Sequence, residues 1–274
     1  MQAPRFTKPS ATTLAAAAVA ALAVGFVRCG APAEPAAAPA MTPAPNATAM
    51  TEPAPAASAS PPAESAAPTT TVPAAKEKVV VAALGDSLTD AKSAGGKYLE
   101  VLAKRCPESR FDNFGKGGDM VNQIRRRFER DVLSSTTAYT HVLVFGGVND
   151  LYSDLTAGRT PAKISADLSA IYRASRGRGW KVVALTVAPW GGFAKYYNDK
   201  RGAATRELNA WIADRAQQKE VDHVIDAYAL LSCGDPERLC KEYSGSLRDG
   251  LHFGGPGHEK LGAAIYEAAF TNCR

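Results

Sequence analysis

Apolar positions follow two rhythms from residue 76 to residue 274. Short unbroken apolar runs, clearest at Val79–Leu84 and His141–Phe145, alternate with stretches in which apolar residues recur every three or four positions. The first pattern is what a strand buried on both faces requires, and the second is one face of a helix. Arg110–Phe114 is a short second strand, and Lys181–Val187 and Val221–Ile225 bring the strands to five. Helical spacing appears at Tyr98, Leu99, Val101 and Leu102, and again at Met120, Val121, Ile124, Phe128 and Val132. It returns at Ile164, Leu168 and Ile171, where Thr160 is the expected N-cap and Pro161 sits in the first turn. Another helix follows the fourth strand, and a last one opens at Pro256 and buries Leu261, Ile265 and Ala269. Strand–helix alternation of this kind predicts an α/β fold with a mostly parallel sheet.

Neither rhythm is present before residue 76. Ala31–Ala75 holds 18 Ala and 11 Pro among 45 residues, too little apolar periodicity to offset the entropy of ordering. Residues 31–75 are therefore expected to be an extended linker. Residues 1–30 carry Arg5 and Lys8 ahead of the apolar run Thr12–Val27, the layout of a secretory signal. An uncleaved membrane anchor is the alternative. Lipid attachment at Cys29 fits less well, because Arg28 stands where a small residue is needed. Residues 76–274 form the expected folded domain, exported or tethered through the N-terminal segment.

Export changes the meaning of the cysteines. The domain holds Cys106, Cys233, Cys240 and Cys273, an even number that suggests two disulfides in an oxidising compartment. The spacing gives no C-x-x-C pair and no nearby histidine, so no metal site is expected. The domain has 29 Lys+Arg against 24 Asp+Glu. Its densest basic spot, Arg125, Arg126, Arg127 and Arg130, reads as the wet face of an amphipathic helix. Nucleic acid is not an expected partner; contact with an anionic membrane or cell-wall surface stays open.

In parallel sheets ligands gather beyond the carboxyl ends of the strands. There the sequence places Gly85-Asp86-Ser87-Leu88-Thr89, then Gly115-Lys116-Gly117-Gly118-Asp119, then Gly146-Gly147-Val148-Asn149-Asp150, and finally Asp249-Gly250-Leu251-His252. Each alone has an ordinary reading as a cap, a turn or a connector. Together they are the parts that acyl transfer needs. A serine hydroxyl needs an imidazole to take its proton, and the imidazole needs a carboxylate to hold its tautomer. The developing oxyanion needs donors already in place, which a Gly118 N–H and an Asn149 amide can supply. His141 and His223 open strands at the far edge and His258 falls on the last helix, leaving His252 as the base. The glycines around Lys116 match neither a Walker loop nor a complete G-x-G-x-x-G, so no nucleotide or other cofactor is expected. After the fourth strand, Trp190, Phe193, Tyr196 and Tyr197 form a candidate substrate wall, with packing on their own domain as the other reading.

The four blocks, GDSLTD at Gly85–Asp90, Gly118 in GKGGD, Gly147-Val148-Asn149-Asp150 and Asp249-Gly250-Leu251-His252, resemble the SGNH or GDSL hydrolases. FGGPGHEKLG after His252 is similar to that family's closing helix. Thr89 replaces the last glycine of the G-x-S-x-G elbow, which argues against the other large esterase fold. The resemblance implies a flavodoxin-like three-layer α/β/α sandwich on a five-stranded sheet. It implies Ser87 as nucleophile, His252 as base oriented by Asp249, and an oxyanion hole from Ser87, Gly118 and Asn149. Cys233 and Cys240 share one loop and are expected to pair. The implied helix order then places Cys106 beside Cys273. The expected activity is hydrolysis of a small-molecule or glycan ester, either a lipid or thioester acyl group or an O-acetylated glycan. An acyltransferase using the same acyl-enzyme, or a catalytically silent glycan-binding module, are the competing classes.

Overall fold

The computed structural model describes residues 76–274; the segments read as signal, lipidation site and linker lie outside the described residues. In chain order the elements are β1 (Val80–Gly85), α1 (Lys97–Arg105), β2 (Arg110–Gly115), α2 (Val121–Arg127), β3 (His141–Phe145), α3 (Val148–Tyr152), α4 (Asp154–Ala157) and α5 (Pro161–Gly177). They continue with β4 (Lys181–Leu185), α6 (Asp199–Asp214), β5 (His223–Ile225), α7 (Ala227–Leu231), β6 (Ser232–Cys233), β7 (Asp235–Leu239) and α8 (Gly255–Ile265). β1 to β5 make one sheet in the order β2-β1-β3-β4-β5, with every pairing parallel. That is the flavodoxin-like order, with its switch point between β1 and β3.

Side chains alternate across the strands and bury both faces. Ala82 and Leu84 of β1, with Val142 and Val144 of β3, pack against Val121 and Ile124 of α2, Ile164 and Leu168 of α5 and Leu208 of α6. Val81 and Ala83, with Leu143 and Phe145, pack against Tyr98 and Leu102 of α1 and Leu261 and Ile265 of α8. Two apolar layers on one sheet make the three-layer sandwich. Thr160 Oγ1 accepts the Lys163 N–H and Pro161 opens α5, the start that the residues predict.

Several details differ from the sequence pattern. β4 stops at Leu185 because the Asn209 side chain takes over the backbone of Val187, accepting its N–H at 2.8 Å and donating to its carbonyl at 3.1 Å. The loop beyond β5 contains α7 and the small antiparallel pair β6–β7. The basic helix is not uniformly wet. Arg126 and Arg130 are exposed, but Arg125 meets Asp167 and the Arg127 side chain is only 12% exposed.

The structure joins Cys106 to Cys273 and Cys233 to Cys240, with Cα atoms 5.4 Å and 5.1 Å apart. Cys106 caps the end of α1, and Cys273 follows the turn that ends α8. The two helices lie close along their length; a Cβ at Gly262 would stand 2.7 Å from the Val101 Cβ. The bridge spans 167 residues, so it restricts most of the unfolded domain. Replacing Cys106 and Cys273 with serine is therefore expected to lower stability by about 2–5 kcal/mol in denaturant titration. An unchanged midpoint would show that packing of α1 on α8 suffices without the bridge.

Candidate active site

Ser87 stands in the turn after β1, which Asp86 closes. The Asp86 Oδ1 accepts the Leu88 N–H at 3.0 Å, and its carbonyl accepts the N–H groups of Thr89 and Asp90. His252 arrives from the other end of the chain. Its Nε2 lies 2.8 Å from Ser87 Oγ and its Nδ1 lies 2.7 Å from Asp249 Oδ2. The other Asp249 oxygen accepts the N–H groups of Leu251 at 3.0 Å and His252 at 2.9 Å. This turn needs Gly250 at φ +77°, where a Cβ would come within 2.5 Å of the Gly192 backbone. Partial burial works against charge on Asp249, yet the hydrogen bonds from His252 and Leu251 outweigh it and hold the carboxyl below the usual range. An ionised Asp249 fixes the proton on Nδ1 and leaves Nε2 free to accept from Ser87.

Gly118 and Asn149 face the same space. Gly118 adopts φ +80° with open space where a side chain would be. Asn149 lies in the first turn of α3, is 5% exposed, and donates one amide N–H to the Asp119 carbonyl at 3.0 Å. Its second amide hydrogen remains for a ligand. Arg127 holds the loop beneath. It donates to Asp119 Oδ2 at 2.6 Å, to the Phe114 carbonyl at 2.5 Å and to the Gly85 carbonyl at 3.1 Å. Asp90 accepts the Gly117 N–H at 2.9 Å, tying the serine loop to the glycine loop. Asp150 accepts the Val121 N–H at 2.8 Å and the Arg159 Nε–H at 2.6 Å, so α3 is locked to the start of α2.

A cleft of about 400 Å³ is lined by Ser87, Gly118, Asn149, Tyr152, Phe193 and His252, among others. Of the four expected wall aromatics, Phe193 reaches it. Trp190 does not; it is fully buried, and its indole N–H donates to Thr205 Oγ1 at 2.9 Å. Tyr197 packs edge-on against Trp190, and Tyr196 packs against Phe193 and Tyr152. The aromatic loop is thus mainly a support for Phe193, because large rings near a core gain more from burial than from exposure. Tyr152 was missed in the sequence. Its signal is the spacing from Asn149, one helical turn away on α3, and α3 is too short to show periodicity. Leu247 and Leu251 join the cleft from the loop around Asp249, where the sequence shows no pattern at all.

Asp86 is an outlier. It is fully buried next to Ser87 and its Oδ2 has no partner among the described residues. Burial pushes its carboxyl up to about 7, opposed by the Leu88 N–H and the nearby His252 and reinforced by Asp150 and Asp119. The unfolded chain titrates this group near an ordinary value of about 4, so between the two values the folded state holds more protons. The stability that Asp86 contributes is complete below about pH 4 and is lost as pH rises through the folded value of about 7. Asp86→Asn keeps an acceptor for Leu88 and removes the charge. Its melting temperature relative to the native protein is expected to climb between pH 5 and pH 8. A difference that stays flat would contradict the buried neutral acid.

Comparison with known proteins agrees with this fold. The fold is similar to a GDSL-like lipase from Bacteroides thetaiotaomicron, at 19% identity over 69% of this chain and 86% of that one, with a TM-score of 0.57. It is similar to a lipase/acylhydrolase from Enterococcus faecalis, at 23% identity over 69% and 94% of the two chains, with a TM-score of 0.55. An acetyl xylan esterase is similar at 22% identity over 69% and 98%, with a TM-score of 0.54. No curated protein matches the sequence. Residues 83–260, most of the described domain and all four blocks, match the GDSL-like Lipase/Acylhydrolase family, and the chain belongs to that family.

Proposed function

We propose that the protein is an exported serine hydrolase that cleaves carboxylic esters through an acyl-enzyme on Ser87. The observation that carries this reading is the unbroken relay Asp249–His252–Ser87, with both links under 3 Å. A silent binding module has no need of a hydroxyl poised on an imidazole that a carboxylate orients.

The steps follow from the geometry. His252 Nε2 takes the Ser87 proton as Oγ bonds to the ester carbonyl carbon. The carbonyl oxygen becomes an oxyanion facing the N–H groups of Ser87 and Gly118 and the free Asn149 amide hydrogen. The imidazolium, held by Asp249, gives its proton to the departing alcohol oxygen as the carbon–oxygen bond breaks. Water then attacks the acyl-enzyme as His252 takes its proton, and the imidazolium returns that proton to Ser87 Oγ as the bond to the acyl carbon breaks and the acid leaves. Phe193, Tyr152 and Leu251 give the cleft an apolar side suited to an acyl group, whether a lipid or thioester chain or the acetyl group of a glycan. Export is supported by the apolar N-terminal run and by both disulfides, which an oxidising compartment maintains.

Ser87→Ala is expected to lower kcat on 4-nitrophenyl esters by about 10⁴- to 10⁶-fold with the fold intact. Full activity in that variant would remove the mechanism. Asn149→Ala is expected to cost about 10²- to 10³-fold in kcat with a smaller change in KM. An effect confined to KM would make Asn149 a binding group and not an oxyanion donor.

A further inference from the structure

Ser87 and His252 border a second cavity, of about 360 Å³, whose lining includes neither Gly118 nor Asn149. Its walls differ in character from the aromatic cleft. Two helix N-termini open on it, those of α1, through Gly95 and Lys97, and α8, through Gly254, Gly255 and Pro256. Neither helix has a side-chain cap. At α8 the N–H groups of Gly255 and Gly257 have no acceptor within the helix, and a Cβ at Gly255 would meet nothing within 4 Å. His258 also lines the cavity; it is 2% exposed, and its Nδ1 has no hydrogen-bond partner. Its ring packs against Tyr98 and Phe253, and burial and the charge of Lys97 hold it down at about 4, so it adds no positive charge of its own. Lys97 makes no ion pair among the described residues. Glu242, exposed at the rim, is the one carboxylate of the lining.

Two aligned helix dipoles, unpaired backbone donors and a free ammonium make an environment that favours an oxyanion. We propose that this cavity binds a carboxylate or phosphate carried on the alcohol portion of the ester, an inference that rests on the hydrolase reading. The side is set by the chemistry. The carbonyl oxygen must point to Gly118 and Asn149 in the other cleft, and the departing alcohol oxygen must reach His252. The alcohol therefore leaves through the polar cavity while the acyl group keeps the apolar one. The family's general ester chemistry does not require this charge preference; it arises from Lys97 and the bare α8 terminus.

The test compares 4-acetoxybenzoate with neutral 4-acetoxybenzamide, read as a ratio of kcat/KM so that a general loss of activity cancels. The native enzyme is expected to favour the anion by about tenfold, the size of one charge-assisted hydrogen bond. Lys97→Gln should bring the ratio towards one, and Glu242→Gln should raise it. In a second pair, 4-nitrophenyl hemiglutarate against 4-nitrophenyl valerate, the charge lies on the acyl side and no preference is expected. A preference confined to this pair would overturn the assignment of the alcohol to the polar cavity. Turnover of neutral esters with a flat ratio in native enzyme would overturn the anion site and leave the hydrolase standing. If no ester is turned over, the hydrolase reading fails, and inorganic phosphate at constant ionic strength still tests the cavity. A rise in melting temperature that Lys97→Gln abolishes supports the site, and an equal rise in both proteins contradicts it.

Discussion

Gly85 of β1 pairs with Gly115 of β2 on one side and with Phe145 of β3 on the other. Three parallel strands therefore end at one level, and the loops that follow them begin within a single strand spacing of each other. A slip of one residue in either ladder would turn every alternate side chain to the wrong face and bury the loops at different depths. The continuous apolar character of β1 and β3 forbids that slip, because the two helical layers press on both faces. The active-site geometry is thus a consequence of register. Ser87, Gly118 and Asn149 each sit a few residues beyond that common edge.

Register alone brings the loops near; a set of buried polar ties orients them. Arg127 gathers Gly85, Phe114 and Asp119 with one guanidinium, whose planar fork suits three acceptors better than an ammonium would. The Asp119 carbonyl in turn aims the Asn149 amide. Asp150 and Arg159 fix α3 against α2, and Arg159 continues to Asp167 at 2.6 Å. Such donors are already positioned before substrate arrives, so little reorganisation remains for the reaction itself. Asp86 and His258 depart from this pattern, each with a buried polar atom lacking a partner. Asp86 adjoins Ser87, and His258 lines the cavity beside it.

The central strands and the parallel sense of the sheet were legible because a strand buried on both faces must be apolar throughout, as Val81–Leu84 and Val142–Phe145 are, whereas the edge strand β2, exposed or half-buried along its length, carries no such run. Ser87, Asp249 and His252 were legible because the strand alternation put all their blocks at one edge. Of the two readings open for Trp190, packing on its own domain is the one the structure takes, since a sequence shows an aromatic in a loop but not the Thr205 hydroxyl that draws its indole inward. Arg127 was misread as part of a wet face for a similar reason. Its acceptors are a carboxylate eight residues back and two carbonyls on neighbouring strands, and no helical periodicity reveals them. The polar cavity was invisible because it joins the turns before α1 to the residues that open α8, far apart in the chain.

The central claim is that Ser87 carries the acyl group. Treatment with a fluorophosphonate probe followed by peptide mass spectrometry tests it directly, because the probe bonds only to a serine whose proton has a base to receive it. The account predicts a single adduct, on the peptide containing Ser87, absent after His252→Ala. An adduct on another serine, or ester hydrolysis that survives complete modification of Ser87, would contradict it.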